Sequence, residues 1–440
     1  MNILFTSLGC DKNLVDSEMM LGQLAESGYL FTDDETQADI VVINTCCFIK
    51  DAKEESIETI LEMAQLRKKG DIKALIVTGC LAQRYKEEIQ KEIPEVDEIL
   101  GISDIDHIVQ AIEETLSNER INHISDCNAA PVYGKKRVVT TGGHYAYLKI
   151  AEGCDKHCTY CIIPKVRGNF RSIPMESLLQ EAKTLVEEGV RELILVAQET
   201  TLYGMDLYGK KMLPTLLDRL CELEDLKWIR ILYCYPEEIT EELIDTIRKQ
   251  PKICHYLDIP IQLASDQILK RMGRRTSEND LRNIIGTLRK EIPDICLRTT
   301  LITGFPGETQ EDHEILYRFV NEMEFDRLGV FTYSPEENTP AAKMPEQIDE
   351  KVKEERREEL MELQQAIAFE NAEKMVGTVL EAVVEGYLPE DDVYVARSYM
   401  DAPGVDGYLF VYTDRQLMSG DYIQVEVFDS REYDLIGKEV

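Results

Sequence analysis

"YLKIAEGCDKHCTYC", residues 147–161, runs a strand-like apolar segment straight into three cysteines within eight positions, Cys154, Cys158 and Cys161. The loop that carries them is polar, with Asp155, Lys156 and His157 between the first two thiols. Inert cysteines sit instead in apolar surroundings. A structural zinc ion takes four protein ligands, so the C-x3-C-x2-C spacing is one ligand short. A distant fourth ligand, or His157, would complete a zinc site. A loop opening at the carboxyl end of a strand suits an iron–sulfur cluster better, because three thiolates then hold three irons and the fourth stays open to a small molecule.

Downstream of this loop the strand-like pattern repeats. Runs at 147–153, 192–199, 228–234, 256–262, 297–305 and 327–334 are separated by helix-like stretches such as "ESLLQEAKTLVEEG" (176–189) and "EEITEELIDTIRKQ" (237–250). Six such units in series predict a closed or partly open parallel barrel with its chemistry at the carboxyl ends of the strands. Upstream, "NILFTSL" (2–8), "DIVVINT" (39–45) and "ALIVTG" (74–79) alternate with the helix-like "DSEMMLGQLAESG" (16–28) and "AKEESIETILEMAQLRKK" (52–69). That alternation predicts a doubly wound parallel sheet. Each of its strand runs ends at a cysteine: Cys10, Cys46 with Cys47 beside it, and Cys80. Ligands gather at the carboxyl ends of such strands, so three thiols far apart in sequence are placed to converge.

Beyond the barrel pattern, the charged stretch 346–374 reads as a connecting helix with one face packed. "GTVLEAVVEGY", "DVYVARS", "GYLFVYT" and "DYIQVEVFD" then alternate with the period of a small all-β barrel or sandwich. The expected organisation is an α/β chain with domains at 1–125, 140–345 and 375–440, joined by the helix at 346–374.

Composition agrees. A length of 440 residues suggests about three domains at roughly 150 residues each. No run approaches the ~18 apolar residues of a membrane span. The start, "MNILFTSLGC", lacks a basic region followed by an apolar stretch. The expected location is cytoplasmic, with no membrane partner. Twelve cysteines are too sparse for a secreted disulfide scaffold. Against 83 Asp and Glu stand 49 Lys and Arg, a net charge of −34. Such a field repels nucleic acid phosphates and favours a basic partner.

Longer quotations carry a resemblance. "YLKIAEGCDKHCTYCIIPKVRGNFRSIP" (147–174) resembles the signature of the radical S-adenosylmethionine (SAM) superfamily. "SLGCDKNLVDSE" (7–18), "NTCCFIKDAKEES" (44–56) and "VTGCLAQRY" (77–85) resemble the amino-terminal domain of its methylthiotransferase branch, and the tail resembles a TRAM domain. The resemblance implies a doubly wound amino-terminal domain, a radical SAM partial (β/α)6 TIM-like barrel and a carboxy-terminal all-β TRAM domain. It implies two 4Fe–4S clusters, one on Cys154, Cys158 and Cys161 with SAM on its open iron, the other an auxiliary cluster on Cys10, Cys46 and Cys80. By the same likeness no side chain acts as catalytic acid or base. The cofactors carry the hard step, a hydrogen taken from an unactivated carbon followed by methylthio transfer.

Cofactor contacts are expected from Tyr160, where the superfamily places an aromatic near the adenine, and from Gln198, Glu199, Thr200, Gln262 and Arg298 at strand ends. Arg298 is the best suited, since a guanidinium pairs bidentately with a carboxylate. Each of these polar residues is equally well read as an ordinary helix cap or loop hydrogen bond. Cys46 is favoured over Cys47 as ligand. Cys127, Cys221, Cys234, Cys254 and Cys296 share no spacing and read as buried or incidental thiols, and His107 and His313 as surface or core residues. Leu263 stands where relatives tend to carry a histidine.

Two substrates suit the branch: an adenosine of transfer RNA, or an aspartate β-carbon of small-subunit ribosomal protein twelve. Residues 375–440 hold fourteen Asp and Glu against four Lys and Arg, a net charge of −10. A domain that grips RNA shows a basic stripe, whereas this one attracts a basic protein loop. "PIQLASDQILKRMGR" (260–274) and "ARSYMDAPGVDGYLFV" (396–411) also resemble the ribosomal-protein branch. The expectation is an aspartate methylthiotransferase served by an electron donor such as flavodoxin or ferredoxin, without direct transfer RNA binding. The alternatives are a transfer RNA adenosine methylthiotransferase and a non-catalytic metal-binding scaffold for ribosome assembly. Iron and sulfide content separates the scaffold from both enzymes.

Overall fold

The structure, a computed structural model, describes residues 1–119 and 121–440. Its first sheet contains β1 (Asn2–Ser7), β2 (Leu30–Thr32), β3 (Ile40–Thr45), β4 (Ala74–Gly79) and β5 (Glu98–Ile99), all parallel, in the order β2-β1-β3-β4-β5. Successive strand residues point to opposite faces. Val41, Ile43, Leu75 and Val77 therefore enter one apolar layer, and Ile40, Val42, Ala74 and Ile76 the other. Both faces are covered, which is why β3 and β4 are apolar without alternation. The sequence pattern misses β2 and β5, which span three and two residues and are too short to show a period.

A second parallel sheet follows. It begins with β6 (Tyr145–Lys149), from which the short antiparallel pair β7 (Ala151–Glu152) and β8 (Arg171–Ser172) branches to close the base of the cysteine loop. The sheet continues through β9 (Glu192–Val196), β10 (Trp228–Ile231), β11 (Ile253–Asp258), β12 (Cys296–Thr303) and β13 (Arg327–Thr332), hydrogen-bonded in sequence order. No pairing joins β6 to β13 among the described residues, so the six strands form a partial barrel. Helices return between them on the outside. Two begin with capping boxes, Ser277 with Asp280 and Thr309 with Asp312, which satisfy the first free amides of each helix.

The helix Glu350–Lys374 then packs along the barrel. Its contact is polar as well as apolar: beside buried Leu360, Lys353 donates to the Tyr333 carbonyl at 2.9 Å and Gln364 to that of Phe325 at 2.8 Å. It leads to a closed five-stranded barrel of β14 (Val379–Leu388), β15 (Val393–Ser398), β16 (Leu409–Tyr412), β17 (Tyr422–Arg431) and β18 (Asp434–Glu439), in the order β14-β15-β16-β18-β17. The sequence pattern misses β18, a strand pinned between β16 and β17 by pairing rather than by its own alternation. This small barrel seats Val383, Tyr399, Ala402 and Tyr422 on a face of the central sheet formed by Ile194, Val196, Trp228, Cys254 and Tyr256. No described helix is long and apolar enough to cross a membrane.

Candidate functional site

Three neighbouring strands of the first sheet each deliver a cysteine at the same edge. Ser7 of β1 is level with Asn44 of β3, and Thr45 of β3 with Gly79 of β4. Cys10 caps the helix Asp11–Glu26 just after β1, Cys46 directly follows β3, and Cys80 opens the helix Cys80–Arg84 directly after β4. The strand order reverses between β1 and β3, the place where open α/β sheets leave a crevice for ligands. Gly9 makes the approach close enough: a Cβ there would lie 2.6 Å from the Cys46 Cβ. Asn13 ties the edge together, its amide donating to the Leu8 carbonyl at 3.0 Å and to that of Thr45 at 2.9 Å.

The second triad sits at the barrel mouth. Cys154 follows β7, its amide donating to the Gly168 carbonyl at 3.1 Å. Thr159 anchors the loop from both its amide and its hydroxyl, on the carbonyls of Met272 and Arg271. Cys158 Sγ lies 3.8 Å from the Tyr235 hydroxyl, and the Arg274 guanidinium stacks 4.4 Å from the centre of the Tyr235 ring.

One side chain links the first triad to the strand that leads into the second. Arg167, six residues after Cys161 and almost wholly buried, donates from Nε to Cys80 Sγ at 3.3 Å. Its Nη1 reaches Asp16 at 2.9 Å and Glu152 at 3.0 Å, and its Nη2 donates to Asn13 Oδ1. Glu152 lies two residues before Cys154 and accepts on its other oxygen from Gln198 at 3.1 Å.

Of the remaining expected contacts, Tyr160 lies in the cysteine loop, Gln198, Glu199 and Thr200 follow β9 and Gln262 follows β11, whereas Arg298 is the third residue of β12, near its amino end. Tyr160 meets Phe305 edge-on at 6.5 Å. Glu199 is buried beside Lys156 at 3.7 Å, and burial pushes its carboxyl up to about 7. The Thr200 hydroxyl is committed to the Leu232 carbonyl at 2.7 Å. Gln262 takes a left-handed backbone, φ 71°, and bridges to Leu301. Arg298 stands between Asp258 at 3.3 Å and Asp406 at 3.6 Å, so an incoming carboxylate has to compete with two already in place.

The donor sets fit clusters better than single ions. Tetrahedral zinc with Zn–S of about 2.3 Å needs sulfurs about 3.8 Å apart. Among the described residues, the only three-ligand group with its atoms within 4.8 Å of one another is Glu98, Glu114 and His123, so both cysteine triads are wider than a single-ion cage. Burial pushes the Cys154 thiol up to about 12 and raises those of Cys46, Cys80 and Cys161. Only a strongly electrophilic metal centre takes such thiols as thiolates at neutral pH. Near the second triad, Gln198 Oε1 and Arg274 Nε and Nη1 are buried with no hydrogen-bond partner among the described residues, polar capacity left over for a ligand.

Residues 2–101 match the model described as uncharacterized protein family UPF0004, residues 148–320 that of the radical SAM superfamily, and residues 376–440 that of the TRAM domain. A protein of Lachnoclostridium phytofermentans named ribosomal protein uS12 methylthiotransferase RimO is 64% identical over 437 residues, 99% of each chain. Another of that name, from Geobacter sulfurreducens, is 50% identical over 98% of this chain and 97% of its own. The chain belongs to the RimO family. Among solved structures, the radical SAM methyltransferase TsrM from Kitasatospora setae shares the fold, with a TM-score of 0.56 at 13% identity over 86% of this chain and 78% of its own.

Within this RimO-family chain, Cys46 lies in the field of Cys10 and Arg167, whereas Cys47 lies in that of Arg84 and Glu336. Leu263, at the position of interest beside Gln262, is a fully buried core residue. A cavity of about 370 Å³ lined by Trp228, Arg248, His255 and Glu381 opens at the amino ends of β10 and β11 and shares no residue with either triad. Sequence reasoning missed Asn13, Arg167, Tyr235 and Arg274. Only their place within the quoted motifs hinted at Asn13, Arg167 and Arg274, and nothing in the pattern hinted at Tyr235.

Proposed function

We propose that this chain is a radical SAM methylthiotransferase that adds a methylthio group to the β-carbon of an aspartate in ribosomal protein uS12. The observation that carries the reading is the pairing of two cysteine triads, each at the carboxyl edge of its own parallel sheet, with Arg167 bonded to Cys80 of one and to Glu152, two residues before Cys154 of the other. Full-length likeness to proteins of that name supports it.

In this reading Cys154, Cys158 and Cys161 hold one 4Fe–4S cluster and Cys10, Cys46 and Cys80 a second. With SAM, these groups would supply radical cleavage of the cofactor and a place to assemble the methylthio group to be transferred. The protein's own part is to bind and orient. Tyr160, Gln198, Glu199, Thr200, Gln262 and Arg298 form the wall for the cofactor, with Arg298 as the partner for its carboxylate. Tyr160 packed on Phe305 closes part of that wall to water. The net charge of −10 over residues 375–440 draws a basic protein substrate and repels RNA. Flavodoxin or ferredoxin serves as electron donor, the domains divide at 1–125, 140–345 and 375–440, and the site of action is the cytoplasm.

The test is anaerobic reconstitution with iron, sulfide, SAM and a reductant, followed by mass spectrometry of uS12 and of transfer RNA. The expected result is one methylthio group on an aspartate of uS12. Modified transfer RNA with unmodified uS12 overturns the assignment.

A further inference from the structure

We propose that Arg167 is a positioning residue that couples the two cysteine triads and, through its hydrogen bond to the Cys80 sulfur, raises the reduction potential of the cluster held by Cys10, Cys46 and Cys80. The inference rests on the two-cluster reading above and adds a function for a side chain that binds neither cofactor nor substrate.

The geometry argues for more than a structural ion pair. Asp16, Lys149, Glu152 and Arg167 are all buried and form one group of two cations and two anions. Lys149 contacts both carboxylates, with Glu152 at 3.0 Å. The four charges balance without Cys80. Arg167 nevertheless turns its Nε toward Cys80 Sγ at 3.3 Å, spending a donor on sulfur. A guanidinium stays charged at any working pH and offers five donors in a rigid fork. A cation that donates to a ligating thiolate draws electron density from it and stabilises the reduced cluster, so the potential rises.

The same fork fixes distance. Nη1 grips Glu152, two residues before Cys154, and the carbonyl of the neighbouring Gly168 holds the Cys154 amide at 3.1 Å. Asn13 and Asp16 belong to the helix that starts beside Cys10. A displacement of either triad is therefore felt by the other through one rigid side chain. A lysine offers one point of charge on a flexible stem and cannot make these contacts together.

The test uses full-length protein reconstituted anaerobically, as wild type and as Arg167→Lys and Arg167→Gln. Because losing Arg167 leaves two buried carboxylates against Lys149 alone, the double variant Asp16→Asn/Arg167→Gln keeps the buried charge balanced and guards against simple misfolding. Cys80→Ala and Cys158→Ala assign the signals of the two clusters. The readouts are iron and sulfide per chain, the midpoint potential of each cluster by redox titration followed by electron paramagnetic resonance, and methylthio product per SAM cleaved. In the double variant and in Arg167→Lys, the potential assigned to the Cys10, Cys46 and Cys80 cluster should shift negative while the other stays put. Product per SAM cleaved should fall about 10-fold. Two clusters in the wild type with potentials and product ratio unmoved in both variants overturn this proposal and leave the function standing. A wild-type chain that binds iron at one triad only overturns both.

Discussion

The ammonium of Lys12 stands 3.4 Å from the centre of the Tyr233 ring, and the Tyr233 hydroxyl donates to Asp11 at 3.2 Å. Asp11 and Lys12 directly follow Cys10, while Tyr233 lies just past β10, its amide donating to Asp258 at 3.0 Å. The pair therefore seats the first turn after one cysteine triad on the mouth of the barrel. A desolvated cation–π contact contributes about 2 kcal/mol and a hydrogen bond to a carboxylate also about 2 kcal/mol. Tyr233→Phe should lose about 2 kcal/mol and Tyr233→Leu about 4 kcal/mol in urea unfolding. Equal losses in the two variants would show that the ring face contributes nothing.

The small barrel is held to the central sheet by a buried carboxylate between two guanidiniums. Glu192 pairs with Arg230 at 2.9 Å and with Arg397 of β15 at 2.7 Å, all three almost fully buried. Burial alone would raise the Glu192 carboxyl, but Arg397 and then Arg230 outweigh it and hold it below the usual range. A depressed carboxylate contributes stability above its unfolded value of about 4.3, and that contribution is lost as pH falls through the lower folded value. The single tryptophan reports on this contact: Trp228 meets Tyr422 edge-on at 5.0 Å and donates to Glu381 at 3.1 Å. Trp228 fluorescence should shift to that of an exposed indole on acidification below about pH 4. Glu192→Gln should show the shifted spectrum at neutral pH, with a cost of about 3–5 kcal/mol. An unchanged spectrum in that variant would place the anchor elsewhere.

Strands with a period long enough to register were legible. Ala74–Gly79 has its boundaries in the sequence itself, and the three cysteines after β1, β3 and β4 follow from that reading. Glu98–Ile99 and Asp434–Glu439 were not legible, because their strand character comes from partners brought by the fold. The polar residues of the site divide the same way. That Tyr160 lies beside the second triad is readable from its place inside the cysteine motif. The pairing of Arg298 with Asp406 is not, because 108 positions separate them and only the seating of the small barrel brings them together. Long-range electrostatics of this kind leaves no periodic trace in the chain.

A buried glutamate in the turn that follows β12 gives a pH signature of opposite sign. Glu308 accepts from the amides of Gly304 and Phe305, the latter at 3.1 Å, with Arg356 at 3.4 Å. Burial nevertheless pushes its carboxyl up to about 7, with Arg356 and the two amides opposing. The folded chain then holds a proton that the unfolded chain releases at about 4.3, so stability falls as pH rises between about 4.3 and 7. Urea midpoints of the wild type should drop from pH 5 to pH 7 by more than those of Glu308→Gln, an effect on the order of 2–3 kcal/mol. Parallel pH dependences in the two proteins would mean that Glu308 is ionised throughout.

The placement of Cys80 depends on a glycine whose backbone no other residue adopts cheaply. Gly79 has φ +94°, and a Cβ there would lie 2.3 Å from Asn44 Oδ1 and 2.4 Å from the Thr45 carbonyl oxygen. Asn44 holds the Asn13 carbonyl and the Ser17 hydroxyl at 2.9 Å each, so the obstruction cannot swing away without loosening the whole edge. Gly70, φ +82°, offers a control for a positive φ alone: it caps the helix Lys50–Lys69 in the αL region with no described atom within 4 Å of an added Cβ, whereas Gly79, ψ −161°, is extended at positive φ, a region only glycine adopts readily. Gly70→Ala should carry an αL backbone cost of about 1–3 kcal/mol and Gly79→Ala a larger one. Only Gly79→Ala also forces β4 away from β3 and Cys80 away from Cys46. After anaerobic reconstitution, Gly70→Ala should keep the iron content of the wild type, whereas Gly79→Ala should lose the share held by Cys10, Cys46 and Cys80. If the two variants carry equal iron, the close approach at Gly79 does not set the geometry of that triad.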